Sequence, residues 1–341
     1  TSTAANVLQM WSHDLGGFYA YDDGDPTNAT GSELLLRWLQ FGAVSPVFRT
    51  HCSGVHDGPH CLRRIWLFPH YELMKSAMVM RDAMLPYLMT AYRHFHDSGV
   101  GLVHPCYYEH SQEPQAYATA EKQYMFGTEM LAAPITDAAP DPLHGSVEQT
   151  VWLPPGVWVE WGGERVHVGP ANYTRSYTHS ELPLFVKGGS AIPMKAASSS
   201  VASDLCWVLF PLGGRAGSGV VYDDEGEGPR YQQEEYSTTR LSYHTANWSH
   251  GAVLELKLQP LHRCAGAGCA AWAIQRSHSF ALRGLAALGL AVQSVDVESD
   301  SHSVRHTDLY DAAQELVTLP GRWDLKDGVV AKLRLARSGA W

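Results

Sequence analysis

The chain has 341 residues, a length that corresponds to about two domains at roughly 150 residues each. Hydrophobic residues make up 45% and charged residues 18%, with 11 Trp and 16 Tyr, a core-forming composition that excludes general disorder. Lys and Arg total 25 against 35 Asp and Glu, and the net charge of −10 excludes a basic nucleic-acid footprint. The best apolar run, Ala281 to Val292, is broken by Arg283 and is shorter than the roughly 20 residues that span a bilayer.

The opening run VLQMWSHD is β-prone and ends in a glycine pair, followed by an Asp/Gly/Pro/Asn loop over 21–31. In SELLLRWLQFGAVS, Leu34, Leu35, Trp38, Leu39 and Phe41 recur at helical spacing, and Ser32 is placed to cap the helix. PVFRTHC reads as a second short strand. From Tyr71 to about His96 a long helix is expected, with Leu73, Ala77, Met80, Met84, Leu88 and Tyr92 near one stripe. Pro86 kinks it by removing the bond to the Asp82 carbonyl. Strand, helix, strand, helix is the rhythm of parallel α/β architecture.

After Gly99 the texture changes. Short β-rich runs (LVHPCYYEH, YMFGTEMLAAPI, VEQTVWLP, VWVEW) alternate with Pro and Gly, as in an antiparallel sandwich. KAASSSVASD reads as a linker, and LCWVLFPL, GVVYDD, TTRLSYH and AVLELKL supply further strands. QSVDVESDSHSVRH reads as polar surface.

The chain does not begin with Met or with a basic, apolar leader, so either a targeting segment has been removed or the sequence starts within something longer. Sequons at Asn28, Asn172 and Asn247 and an even number of Cys favour a secretory address, endoplasmic reticulum or extracellular. Cys264 and Cys269 bracket AGAG as a short disulfide loop, and Cys52 and Cys61 flank another.

The densest chemical signal is WSHDLGGF, Trp11 to Phe18. An Asp at the C-terminal end of a strand is well placed to face a ligand at a barrel mouth, and the glycine pair allows a sharp turn with positive φ. The competing reading is an Asp that caps its own turn. In FRTHC, two-residue alternation puts Arg49 and His51 on one side of a strand. A cation beside an imidazole suits hydroxyl or carboxylate recognition, although taken alone a structural ion pair and a core histidine explain the two better. His51, Cys52, His56, His60 and Cys61 crowd one loop but match no zinc spacing. DDEGEG lacks the alternate-residue ligands of a calcium loop and reads as a solvated acidic turn. P-loop, G-x-G-x-x-G and G-x-S-x-G motifs are absent, and no cofactor or metal is expected.

Several blocks taken together are familiar. WSHDLGGF, RWLQFGAVSPVFRTH, RDAMLPYLMTAYRHFHDSGVGLVHPCYYE, QYMFGTEMLAAPI, VWLPPGVWVEW, LPLFVKGGSAIP and YDDEGEGPRYQQEEYSTT occur in this order. This string resembles the second half of family 31 of the glycoside hydrolases, the α-glucosidases, α-xylosidases and their relatives, over roughly residues 8–243. The resemblance implies an α/β plus all-β chain, the C-terminal remnant of a (β/α)8 TIM barrel followed by two β-sandwich domains. Residues 1–97 would supply strands seven and eight with their helices, 98–195 a proximal sandwich and 196–341 a distal one. A whole barrel needs ~250 residues, so most of it must come from polypeptide preceding this sequence.

That arithmetic governs the implied chemistry. Retaining enzymes need two carboxyl groups about 5–5.5 Å apart. The resemblance implies a nucleophilic Asp in a W-x-D-M/L-N-E-like strand and an acid/base Asp in a G-D-N-like segment, both before the D-[IL]-x-G-F element. Neither motif is present here. The chain is therefore expected to carry part of a sugar pocket, with no catalytic residue of its own, and to be inactive alone. The resemblance makes His51 a hydroxyl ligand of the cleaved sugar and puts Asp14 near the pocket floor. It places Arg49 where it can pair with Asp14, Phe18 as an aromatic border of the neighbouring sugar site, and Trp11 close by. The expected partners are an α-linked oligosaccharide or glycoside and the missing N-terminal half. His104 stands where many relatives have Arg before a Pro, which puts a structural ion pair in question. Two other readings compete: a non-catalytic carbohydrate- or partner-binding sandwich protein, and the product of a truncated gene model.

Overall fold

Periodic apolar spacing does produce a helix after the first loop, but its start differs from the one expected. The computed structural model describes residues 10–18, 29–51, 64–162, 165–196, 204–211, 216–246, 253–262, 264, 277–283, 290–299, 302–306, 310–311, 316–319 and 329–337. Outside them lie the first part of the opening strand, the 21–28 loop, Cys52 to Cys61, Cys269, Asn28, Asn247 and most of the expected linker. Cys264 is disulfide-bonded.

Helix α1 spans Ala29–Ala43. Ser32 lies inside it rather than at its cap, because its hydroxyl is fully buried and sits 2.8 Å from His70 Nδ1. His70 Nε2 faces the Leu143 carbonyl, so that nitrogen carries the proton and Ser32 donates to Nδ1. One face of α1 packs Leu35, Leu36 and Leu39 against Leu15, Phe68 and Met74. Its polar side is buried as well. Arg37 donates to the Thr178 and Glu181 carbonyls, Gln40 to the His179 carbonyl, and Glu33 Oε1 accepts the Ala139 amide at 2.9 Å. Polar groups buried on a helix are costly unless hydrogen-bonded, and these bonds offset that cost.

The long helix expected from Tyr71 is two helices, α2 (Tyr71–Ala83) and α3 (Leu85–Ser98), with Met84 between them. Pro86 therefore acts as a proline in the first turn of α3, where its missing N–H is tolerated, rather than as a mid-helix kink. Arg81 of α2 donates to the Ala43, Ser45 and Pro46 carbonyls, which ties the end of α1 to the segment leading into Phe48–His51.

The chain divides into two compact units. The first, Thr1–Asp82, His94–Pro155 and Val168–Phe185, holds α1 and most of α2. A six-stranded sheet follows in sequence: β1 (Val103–His104), β2 (Tyr124–Phe126), β3 (Met130–Ala132), β4 (Ser146–Glu160), β5 (Val166–Thr178) and β6 (Leu184–Lys187). Their order is β1-β2-β3-β6-β4-β5. The short α4 (Pro114–Ala118) precedes β2. Gln123 uses both ends of its amide on one residue, donating to the Trp152 carbonyl (2.7 Å) and accepting the Trp152 N–H (2.9 Å). His104 is buried, with Nε2 3.1 Å from Glu109 Oε1 and Nδ1 2.8 Å from the Gly101 carbonyl. The question raised by its replacement of Arg is thus answered: the position still meets a carboxylate.

The second unit is Ala83–Arg93, Gly156–His167 and Val186–Trp341. One sheet contains β7 (Ala191–Lys195), β8 (Leu205–Leu209), β12 (His278–Leu282), β15 (Tyr310–Asp311) and β16 (Leu316–Thr318), ordered β15-β16-β12-β8-β7. The other contains β9 (Ala216–Asp224), β10 (Tyr236–Ala246), β11 (Val253–His262), β13 (Leu290–Ser299), β14 (His302–His306) and β17 (Val329–Arg337), ordered β14-β13-β17-β11-β10-β9. Trp207, Leu209 and Phe280 of the first sheet share one buried cluster with Leu241, Leu256, Val295 and Leu333 of the second, which makes this unit a β-sandwich. The stretch read as polar surface is the β13–β14 hairpin, paired from Val295↔His306 to Ser299↔His302. Val295 and Val297 point into the core between polar neighbours, so the stretch is an amphipathic strand.

Candidate functional site

The site lies in the first unit, where the two short barrel-type segments meet. The expected strands narrow among the described residues to a single parallel bridge, Leu15↔Thr50. Leu15 donates its N–H to the Arg49 carbonyl (3.1 Å), and its own carbonyl accepts the His51 N–H (3.3 Å). Val47 donates to the Trp11 carbonyl at 3.2 Å, which continues the pairing. The pattern is anchored from below because Leu15 is fully buried in the α1 core. Gly42 of α1 makes that seat: a Cβ there would lie 2.8 Å from Leu15 Cδ1 and 3.1 Å from Phe48 Cδ2.

With Leu15 and Thr50 paired, their neighbours flank the bridge. Asp14 adopts a positive φ of 45°, unusual for a residue with a side chain, and Gly16 and Gly17 follow at 87° and 84°. Gly17 N–H closes the turn onto the Asp14 carbonyl at 2.8 Å. The glycine pair performs the turn expected of it. Asp14 Oδ1 accepts a hydrogen bond from Arg49 Nη2 at 3.0 Å, the pairing the sequence suggested. Both side chains are substantially solvent-exposed, at 35% and 53%, so the pair orients more than it stabilises, contributing about 0–1 kcal/mol. Phe18 stacks on the His51 ring, with centroids 5.3 Å apart and planes 15° from parallel.

Below this rim lies a relay that sequence reasoning missed. Trp38 Nε1–H donates to His13 Nδ1 at 2.7 Å, and His13 Nε2 lies 3.1 Å from Ser45 Oγ. Ser45 in turn donates to the Phe41 carbonyl at 2.8 Å. An indole can only donate, so His13 Nδ1 is the acceptor and Nε2 carries the proton. Burial holds the His13 pKa below the ordinary value, which matches a neutral ring. Trp11 and Phe41 pack around this ring, with centroids 5.6 Å and 4.4 Å away. The histidine adjoins Asp14 in the sequence, but its partners come from α1 and the segment after it, which no local spacing signals.

Three buried polar atoms of this neighbourhood have no hydrogen-bond partner among the described residues: Trp11 Nε1, Ser12 Oγ and His51 Nδ1. Polar groups buried in this way without a partner are costly. A carboxylate, a guanidinium, an imidazole and two aromatic rings together suit a polyol, whose hydroxyls need donors and acceptors and whose C–H faces need a ring. No group of metal-ligating residues occurs among the described residues, and of the crowded His/Cys loop only His51 is described. In the acidic turn both Asp224 oxygens are engaged, by the Gly226 N–H and by the Tyr222 hydroxyl, as a structural turn requires.

Comparison with known proteins gives the chain's relatives. Residues 2–91 match the family model described as the glycosyl hydrolases family 31 TIM-barrel domain, and residues 99–192 match the family 31 C-terminal domain. The chain is 32% identical over 254 residues to a 1,6-alpha-glucosyltransferase of Sporosarcina globispora, covering 69% of this chain and 18% of that protein. It is 28% identical over 248 residues to the human neutral alpha-glucosidase AB, covering 69% of this chain and 24% of that protein. The Flavobacterium johnsoniae GH31 dextranase complexed with glucose shares the fold over 98% of this chain and 40% of its own, with a TM-score of 0.74 and 20% identity. The chain thus spans well under half the length of these relatives. With barrel-type segments, sandwich strands and both family models in sequence order, the chain belongs to glycoside hydrolase family 31.

Proposed function

We propose that this chain forms part of a retaining α-glycoside hydrolase acting on an α-linked glucosyl or xylosyl group, and supplies one wall of its sugar pocket. The observation that carries this reading is the convergence of the Asp14–Arg49 pair and the Phe18–His51 stack on either side of the Leu15↔Thr50 bridge. In this reading His51 and Asp14 take the sugar hydroxyls, Arg49 holds the Asp14 carboxylate, Phe18 borders the next sugar, and Trp11 closes the floor. The relatives' names, an alpha-glucosidase and a glucosyltransferase among them, support an α-glucosyl substrate.

Retaining hydrolysis requires two carboxyl groups about 5–5.5 Å apart across the anomeric carbon. No W-x-D-M/L-N-E-like or G-D-N-like segment precedes Asp14 in this sequence. The chain alone is accordingly inactive, and both acids come from polypeptide N-terminal to it. The domain plan follows: barrel over 1–97, proximal sandwich over 98–195 and distal sandwich over 196–341. The sequons support a secretory address.

Incubation of the purified chain with chromogenic α-glucosides and α-xylosides should give no turnover. Robust hydrolysis would overturn the assignment of both acids to other polypeptide. A second reading, a non-catalytic sugar-binding protein, gains from the three unpartnered polar atoms at the site. Calorimetry with maltose and xylose separates the two, because sub-millimolar binding by the chain alone favours the second.

A further inference from the structure

The sequence raised three sequons and the site used none of them. Of the three, Asn172-Tyr173-Thr174 lies within the described residues, on β5. β5 stands at the end of its six-stranded sheet, beyond β4. Along it exposure alternates, and Val168, Pro170, Asn172, Thr174, Ser176 and Thr178 form the exposed row. Asn172 therefore projects to solvent from regular backbone with polar or small neighbours two residues to either side. Thr174, the hydroxyl-bearing third position, meets Thr150 Oγ1 of β4 at 2.7 Å. The row starts one step earlier, at Val166, and has an apolar tip, since Val166 and Val168 are 42% and 64% exposed.

We propose that Asn172 is an N-glycosylation site, and that its glycan covers the outer row of this sheet edge. The modification joins Asn172 Nδ2 to the anomeric carbon of an oligosaccharide carried on a polyprenyl pyrophosphate. The C1–O bond to the pyrophosphate breaks, the new C–N bond forms, one amide proton is released and the lipid pyrophosphate leaves. Attachment precedes final folding, so what the folded structure must provide is room, and an exposed side chain on an end strand provides it. A bulky hydrated group there also blocks strand-to-strand pairing at an otherwise available edge.

In a cell this modification rests on the secretory address proposed above, and the test separates the two. The full chain is expressed behind an appended cleavable secretion signal in a eukaryotic host, and the secreted protein is treated with peptide-N-glycosidase and peptide-mapped. Asn172 should appear converted to Asp, and the shift due to this site should vanish in Asn172→Gln and Thr174→Val but persist in Thr174→Ser. Recovery of the Asn172 peptide wholly unmodified from the secreted wild-type chain overturns the site, whether or not any variant folds. The native address is measured independently by fractionating the source cells. Failure there sinks the secretory reading while leaving the acceptor result standing.

Discussion

Trp38 donates its indole N–H to His13 Nδ1 across 2.7 Å, and this single bond sets which nitrogen of His13 carries the proton. It links the middle of α1 to the residue immediately before Asp14. Replacing Trp38 by Phe removes the donor while keeping most of the ring. The expected loss is about 1 kcal/mol in urea denaturation, and nitrogen NMR should show the fixed Nε2–H tautomer of His13 becoming a mixture.

Burial lowers the pKa of both His13 and His70 from 6.5, so the unfolded chain binds protons that the folded chain resists. The stability these neutral rings contribute is fully present above pH 6.5 and is lost as pH falls below it toward their folded values. Urea midpoints measured from pH 7.5 down to about pH 5 should therefore decrease. In a His13→Gln, His70→Gln double variant this part of the slope should flatten.

Leu15 is completely buried, and its backbone makes both rungs of the bridge. Leu15→Ala should cost about 2–5 kcal/mol. Amide exchange at His51 should accelerate in the same variant, because the bond to the Leu15 carbonyl depends on that anchor. A variant with full His51 protection would show that the bridge does not need it.

Asp14 holds a positive φ of 45° while bonding an exposed Arg49. Asp14→Gly relieves the backbone and removes only a surface pair, so thermal stability should stay level or rise by up to about 1 kcal/mol. Sugar affinity of any assembly containing this wall should fall. Loss of stability as large as that of Leu15→Ala would mean that Asp14 is structural.

Gln123 is buried and satisfies both backbone groups of Trp152. Gln123→Leu should destabilise by about 1–3 kcal/mol, since it leaves a buried N–H and C=O without partners.

Local periodicity carried part of this fold. Leu35, Trp38 and Leu39 announced α1, although Leu34 of the same pattern is exposed and Leu36 is buried instead, and the glycines after Leu15 announced the turn. The alternation around Val295 and Val297 was equally present, but charged and hydroxyl neighbours hid it beneath an overall polar composition. Ser32 shows the opposite failure: a good capping residue was drawn inside the helix because His70, distant in sequence, offered its hydroxyl a buried partner. At the proposed site, Asp14, Arg49, His51 and Phe18 stand out through family resemblance and alternation. His13, Trp38 and Ser45 were not, because their contact requires the chain to cross from one segment to a helix more than twenty residues later.

Leu15 has a larger consequence. Its N–H holds Arg49 and its C=O holds His51, while its covalent neighbour is Asp14, so opposite banks of the site share one pivot. Any shift of α1 that moved Gly42 against Leu15 would act on both banks together. Evolution can retune such a cleft at its side-chain tips, but regrading its width means rebuilding the floor.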